Sequence, residues 1–246
     1  TAKIAMGMAL EDIKIANTNA AFEPSLDYVI AKLPRFPFDK FSSASNLLGT
    51  QMKATGEIMG IGSNLEECLL KGIRSLEIGV NHIYLAKFDN MTNEELLGYI
   101  SQFRDDNIYA IAELLARGIT VEQVHEITQI TSYFLEAIKR IVDMETTLKN
   151  NVRNLEILIQ AKKMGFSDKY IASMWSCQEM DVYNFRKENN VFPVFRMVDT
   201  CHTGAYIPYF YSSYTGENQS VLTNKKKIVV LGAGPIRIGQ GVEFDY

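Results

Sequence analysis

No proline falls between Pro37 and Pro193 of this 246-residue chain, and helix start signals recur through most of that interval. A stretch free of the residue that breaks helix interiors and central strands is what a bundle of short helices needs. Within it, Thr92/Glu95, Thr120/Gln123 and Ser176/Glu179 are spaced as capping boxes, which close two free backbone donors at a helix start reciprocally. Leu96, Leu97, Ile100 and Phe103 form one helical stripe, Ile108, Ile111, Ala112 and Leu115 another, and Phe134, Leu135, Ile138, Ile141 and Val142 a third. Gly118 and Gly165 stand where two helices are expected to stop. Residues from about 85 to 190 are therefore predicted to be all helical.

The flanks have other textures. Before residue 85 comes an amphipathic stretch over 3–15, then a β-branched and aromatic run over 27–33 that predicts a strand ended by Pro34. Residues 57–61, set between glycines, predict a second short strand. A helix follows: Ser63 and Glu66 are spaced as its capping box, Leu65, Leu69, Ile73 and Leu76 as its stripe, and Gly79 as its left-handed stop. Beyond residue 190, 191–198 and the aromatic cluster Tyr206, Tyr209, Phe210, Tyr211 and Tyr214 read as extended chain, and 216–220 as a surface turn. Lys225, Lys226 and Lys227 then introduce Ile228-Val229-Val230-Leu231 and a glycine loop over 232–241, the way a buried parallel strand enters a doubly wound domain. That strand has no sheet of its own here, so the chain is expected to be a piece of a longer protein.

Charge narrows the partners. With 25 basic and 29 acidic residues the net charge is −4, which leaves no polycationic footprint for nucleic acid or an anionic membrane. No apolar run reaches the roughly 20 residues of a membrane helix, and the first residues form no signal-peptide pattern, so a cytoplasmic protein is expected. Cys68, Cys177 and Cys201 are odd in number and far apart. They suggest neither a disulfide framework nor a zinc site, and buried free thiols are expected.

Several local patterns suggest chemistry and do not complete it. The glycine loop has Arg237 where a dinucleotide-binding turn requires its third glycine, so a tight strand-to-helix turn is the better reading. Residues 111–128 and 161–187 could each form a helix-turn-helix, but 92–190 carries 15 acidic against 11 basic side chains, the reverse of a phosphate-binding surface. His82, His125 and His202 are isolated from one another and read as structural or exposed. The tyrosine cluster lacks nearby basic residues and is expected to pack between domains, and the lysine run to be solvated.

Longer strings carry a resemblance. Phe22-Glu23-Pro24-Ser25-Leu26-Asp27-Tyr28-Val29, Lys32-Leu33-Pro34-Arg35-Phe36 with Phe38-Asp39-Lys40-Phe41, and Leu48-Gly49-Thr50-Gln51-Met52-Lys53-Ala54-Thr55-Gly56-Glu57-Ile58-Met59 resemble the large chain of carbamoyl-phosphate synthase. The likeness continues through Phe185-Arg186-Lys187, Val198-Asp199-Thr200-Cys201 and Tyr211-Ser212-Ser213-Tyr214 to Gly234-Pro235-Ile236-Arg237-Ile238-Gly239-Gln240-Gly241-Val242-Glu243-Phe244-Asp245-Tyr246. It implies a mainly α chain: a helical oligomerisation domain flanked by an α+β ATP-grasp tail and the first strand of a doubly wound α/β domain. Residues 1–84 would end the carboxyphosphate half, 85–219 would be the oligomerisation domain with its linker, and 220–246 would open the carbamoyl-phosphate half.

The implied parent is an ATP-dependent ligase making carbamoyl phosphate from glutamine-derived ammonia, bicarbonate and two ATP, for arginine and pyrimidine biosynthesis. It would use ATP with Mg or Mn, although this stretch would hold no cofactor, metal or catalytic residue and would be inactive alone. Implied partners are the remainder of the large chain, the small glutamine amidotransferase chain and further copies of itself, with no nucleic acid and no membrane. Met59, Arg237, Gly241 and Glu243 match positions lining the family's internal passage for carbamate; the alternative for Arg237 and Glu243 is to pair with each other or with the rest of the chain. Two departures stand out: Ser63 occupies a place where relatives often have arginine, and 202–208 is about two residues shorter than the usual connection. The competing class is a helical regulatory or nucleic-acid-binding module built on helix-turn-helix-like hairpins.

Overall fold

The computed structural model describes residues 1–15, 17–36, 38, 45–51, 53, 56–199, 204 and 206–230. The chain opens with one helical turn, α1 (Ala2–Ala5), a 3-10 turn (Leu10–Asp12) and a minimal hairpin of β1 (Lys14–Ile15) and β2 (Thr18–Asn19). The amphipathic stretch expected over 3–15 is not one element. Gly7 turns the chain at φ +88, and Ile4, Met6 and Leu10 stay exposed, so no core face stabilises a longer helix.

β3 (Val29–Arg35) and β4 (Gly56–Gly62) pair antiparallel, from Val29 opposite Gly62 to Arg35 opposite Gly56. Pro34 lies inside β3, opposite Glu57, rather than ending it. A two-stranded ribbon leaves alternate amides outside the ladder, so a missing N–H is tolerated. One face of the ribbon is buried under α2 (Leu65–Ser75) through Ile58, Gly60 and Gly62, while Glu57 and Met59 face outward with the strand's period of two.

The cap of α2 falls one residue later than the spacing predicts. Asn64, not Ser63, accepts from the Glu67 amide (2.8 Å), and the Glu67 carboxylate returns the bond by accepting from the Ser63 amide (2.7 Å). Ser63 is diverted because its hydroxyl meets Ser213 across the fold. The left-handed turn after α2 is taken first by Glu77 (φ 54), then by Gly79 (φ +79).

The proline-free interval is helical as expected: α3 (Asn93–Ile100), α4 (Asn107–Ala116), α5 (Val121–Thr128), α6 (Ser132–Asn150), α7 (Leu155–Lys163), α8 (Asp168–Trp175) and α9 (Glu179–Glu188). Thr92/Glu95 and Thr120/Gln123 form complete capping boxes. The third expected box is displaced to Gln178/Asp181, because Ser176 itself adopts φ 53 to end α8 and cannot take the extended backbone of an N-cap. Gly118 (φ +91) and Gly165 (φ +87) close α4 and α7 as predicted.

At 19 residues α6 is the longest helix described, and α2, α4, α5, α7 and α8 all pack on it. Its Leu135, Ile138, Ile141 and Val142 enter the core, each contributing about 1.5–3 kcal/mol by burial. Phe134 does not join them and lies against Tyr133 with ring centroids 5.4 Å apart, 49% exposed. Phe103, beyond the end of α3, is also outside its predicted stripe. One hydrophobic cluster runs from Leu70 and Ile73 of α2 to Val182 of α9, so the core is continuous across residue 84.

After α9, β5 (Val194–Met197) pairs antiparallel with β6 (Phe210–Ser213). The turn beyond β6 folds back on β5: the Phe195 amide donates to Asn218 Oδ1 (3.0 Å), and the Gln219 amide donates to the Phe195 carbonyl (2.8 Å). The buried strand expected at 228–231 is not formed in its described part. Ile228, Val229 and Val230 are 92%, 79% and 86% exposed, and no described strand flanks them to supply a ladder. Leu231, the glycine loop and residues to Tyr246 lie outside the described residues. The described chain is thus mainly helical with short antiparallel sheets.

Candidate interdomain junction

Four glycines allow separate elements to come into close contact, two of them backbone to backbone. A Cβ on Gly60 would lie 2.2 Å from the Cys68 carbonyl oxygen, and one on Gly72 would lie 2.6 Å from Leu33 Cδ1, so α2 sits directly on the ribbon. A Cβ on Gly62 would lie 2.9 Å from the Glu67 side chain, and one on Gly165 would lie 2.8 Å from Glu67 Cα. Glu67 is therefore enclosed by β4, by its own helix and by the turn after α7.

At 1% exposure, Glu67 is a buried carboxylate whose oxygens are matched. Oε2 accepts from the Ser63 amide (2.7 Å) and from Ser213 Oγ (3.0 Å), while Oε1 lies 2.8 Å from Lys71 Nζ. Lys71 also donates to the Ile61 carbonyl (2.9 Å) and to the Ser212 carbonyl. Burying a charge is unfavourable unless it is paired and hydrogen-bonded, and here the pairing comes from β4, α2 and β6. The cluster forms only when all three are docked.

The β5–β6 hairpin is held at two further places. Tyr211 packs on Tyr28 (6.1 Å between centroids), and Arg196 pairs with Asp27. The Tyr214 ring lies under Lys162 Nζ (4.8 Å) and Arg186 Cζ (5.9 Å). Those two cations share Asp168, at 2.7 Å each, and Lys162 donates to the Phe166 carbonyl (2.8 Å). Burial pulls the Lys162 ammonium below the usual lysine range, and Asp168 opposes that effect. Of the tyrosine cluster, Tyr211 and Tyr214 are thus held by packing against residues distant in sequence.

Behind the junction, His82 is 2% exposed and stacks on Tyr170 at 3.6 Å, with Nε2 2.9 Å from Glu145 Oε1. Burial pushes its pKa down, against the Glu145 carboxylate, so it is a structural histidine. His125 Nδ1 faces the Ile130 carbonyl at 2.7 Å, and His202 lies outside the described residues. Cys68 is buried, its thiol pushed up to about 12 chiefly by that burial; Cys177 is half-buried, contrary to the expected buried thiol, because it sits in the turn between α8 and α9.

Of the residues predicted for the passage, Met59 lies on the outer face of the β3–β4 ribbon, 37% exposed and opposite Lys32. Arg237, Gly241 and Glu243 lie outside the described residues. Neither Glu67 nor its partners was legible as a site in the sequence. The available signal was the glycine set at 60, 62, 72 and 165, which marks close backbone approach without saying to what. The helix-turn-helix candidate over 111–128 buries Val121, Val124 and Thr128 and exposes Glu122, Gln123 and Glu126, a surface that repels phosphate. Among the described residues no helix is long and apolar enough to cross a membrane, and no group of His, Cys, Asp and Glu could hold a metal ion.

A mainly helical unit thus carries the β3–β4 ribbon and the β5–β6 hairpin, joined to it through buried polar contacts. The chain belongs to the carbamoyl-phosphate synthetase large-chain family: the model of that chain's oligomerisation domain matches residues 57–190, more than half of the sequence. The model of the carbamoyl phosphate synthase preATP-grasp domain matches residues 224–246.

Proposed function

We propose that this chain is the middle of an ATP-dependent ligase that forms carbamoyl phosphate from glutamine-derived ammonia, bicarbonate and two ATP. Its own task is to hold the two synthetic halves in register and to bring copies of the large chain together. The observation that carries this reading is the Glu67 cluster, which locks a ribbon, a helical domain and a following hairpin into one unit, inside a region matched by an oligomerisation domain. In this reading 1–84 ends the carboxyphosphate half in its ATP-grasp tail. Residues 85–219 form the oligomerising scaffold, and 220–246 supply the first strand of the doubly wound carbamoyl-phosphate half. ATP and Mg or Mn bind outside this stretch, the small amidotransferase chain docks elsewhere on the parent, and the site of action is the cytoplasm.

Met59, Arg237, Gly241 and Glu243 would line the route of carbamate between the halves. An unstable anion gains from a fixed positive partner and from exclusion of bulk water. The outward face that carries Met59 is open to receive the preceding half. Light scattering on the purified chain tests the scaffold role: self-association is expected at tens of micromolar, and a strict monomer counts against it. ATP turnover with bicarbonate and ammonia by this chain alone would overturn the placement of the active sites. In the complete large chain, Arg237→Ala is expected to uncouple ATP use from product, and unchanged coupling removes the passage role.

A further inference from the structure

Between the end of β3 and the start of α4 lies a cleft of about 460 Å³, a volume typical of small-molecule sites. None of its lining residues takes part in the Glu67 cluster. One wall is apolar: Phe36 and Phe38 stack with centroids 5.4 Å apart and planes 6° from parallel, and Leu76 lines the cleft beside them. The aromatic pair already attracts a cation, since Lys53 Nζ sits 5.3 Å from the Phe38 centroid.

The opposite wall is polar and incompletely satisfied. Tyr109 is 3% exposed, yet its hydroxyl has no hydrogen-bond partner among the described residues. A buried hydroxyl without a partner is unfavourable and marks a place where one is missing. The phenol is pushed up to about 12 by burial and then by Asp106 and Asp105, which sets both carboxylates within electrostatic reach of it. Asp106 is occupied by Lys87 and by the Tyr99 hydroxyl (2.9 Å). Asp105 is exposed and has no ion pair among the described residues; partial desolvation followed by Asp106 holds its carboxyl above the usual range. What remains available is a carboxylate without an ion pair and a hydroxyl oxygen without a hydrogen bond among the described residues, both able to accept from a cationic donor, beside an aromatic wall.

We propose that this cleft binds a small molecule carrying a primary ammonium on an apolar body the size of one ring. The ammonium donates to Asp105 and to the Tyr109 hydroxyl, and the body lies against Phe36, Phe38 and Leu76. Arg35 and Lys87 also line the cleft, but Arg35 donates to the Leu76 (3.3 Å) and Glu77 (3.2 Å) carbonyls and Lys87 pairs with Asp106, so a carboxylate of the same size is disfavoured beside Asp105.

Titration calorimetry of the 246-residue chain with phenethylamine, 2-phenylethanol and 3-phenylpropionate separates these terms. Phenethylamine is expected to bind at least about tenfold more tightly than the alcohol, the effect of one charge-assisted hydrogen bond, with no heat from the acid. Asp105→Asn, at an exposed position that should leave the circular dichroism spectrum unchanged, is expected to abolish the preference for the amine. Tyr109→Phe is expected to weaken amine binding several-fold and leave alcohol binding unaltered. Equal binding of amine and alcohol, no binding of the amine at millimolar concentration, or an undiminished preference in Asp105→Asn would each overturn the assignment.

Discussion

Adding one methyl at Gly60 tests the contact on which the junction is built. The new Cβ would lie 2.2 Å from the Cys68 carbonyl oxygen and 2.9 Å from the Gly72 amide nitrogen. Both obstacles are backbone of α2, so no side chain can rotate away. Restoring van der Waals separation requires the helix to retreat by ~1 Å or more, which loosens Ile58 against α2 and stretches the Glu67 bonds to Ser63 and Ser213. Overpacking typically costs 1–3 kcal/mol, and a backbone-to-backbone clash belongs at the upper end, about 3 kcal/mol. At 2–4 °C per kcal/mol for a chain of this size, Gly60→Ala should melt about 6–12 °C below the parent.

Trp175, the chain's one tryptophan, reports the transition, since it is 6% exposed and donates from Nε1 to the Leu148 carbonyl (3.1 Å) in the same core. The control is Gly98→Ala in α3, where nothing lies within 4 Å of the added Cβ. That helical position should gain about 0.5–1 kcal/mol from the same substitution. Equal melting temperatures for Gly60→Ala and the parent, measured by fluorescence and circular dichroism together, would refute the close approach of ribbon and helix.

The other expectations concern buried charge and buried thiols. Glu67→Gln leaves Lys71 without its anion, and urea unfolding is expected to show a loss of about 3 kcal/mol; a loss below about 0.5 kcal/mol would remove the cluster's stabilising role. His82 has its pKa lowered by folding, so the unfolded chain binds the extra proton first as the medium turns acid. Its contribution is fully present above the unfolded value near 6.5 and declines as pH falls from there toward the lower folded pKa. His82→Gln should therefore narrow the stability difference between pH 7.5 and 5.5, and an unchanged difference would contradict the buried neutral ring. With a thiol pushed up to about 12 and no exposed surface, Cys68 should resist iodoacetamide at pH 8 in the folded chain and react once it is unfolded. Half-buried Cys177 should be labelled before Cys68, as peptide mapping by mass spectrometry can show.

Local physics made the helical interval legible. The boxes at Thr92/Glu95 and Thr120/Gln123, the left-handed glycines at 118 and 165, and the stripes of α3, α4 and α6 each depend on residues within one or two turns, so sequence spacing alone places them. The long ordered strings made the family legible, because many residues in fixed order are more specific than any short motif, and the matches over 57–190 and 224–246 agree with them. What the sequence could not place was whatever depends on a distant partner. Ser63 loses its cap to Asn64 because its hydroxyl meets Ser213, 150 residues away. Glu67 and Lys71 look like ordinary surface charges of an amphipathic helix until β4, α7 and β6 close over them. Residues 228–230 keep strand composition without a strand, since a ladder needs a neighbour that β-propensity cannot supply. Periodicity and capping are properties of neighbouring residues, and the sequence determined them; burial, pairing and the unfilled polar groups of the cleft are properties of packing, and only the tertiary structure decided them.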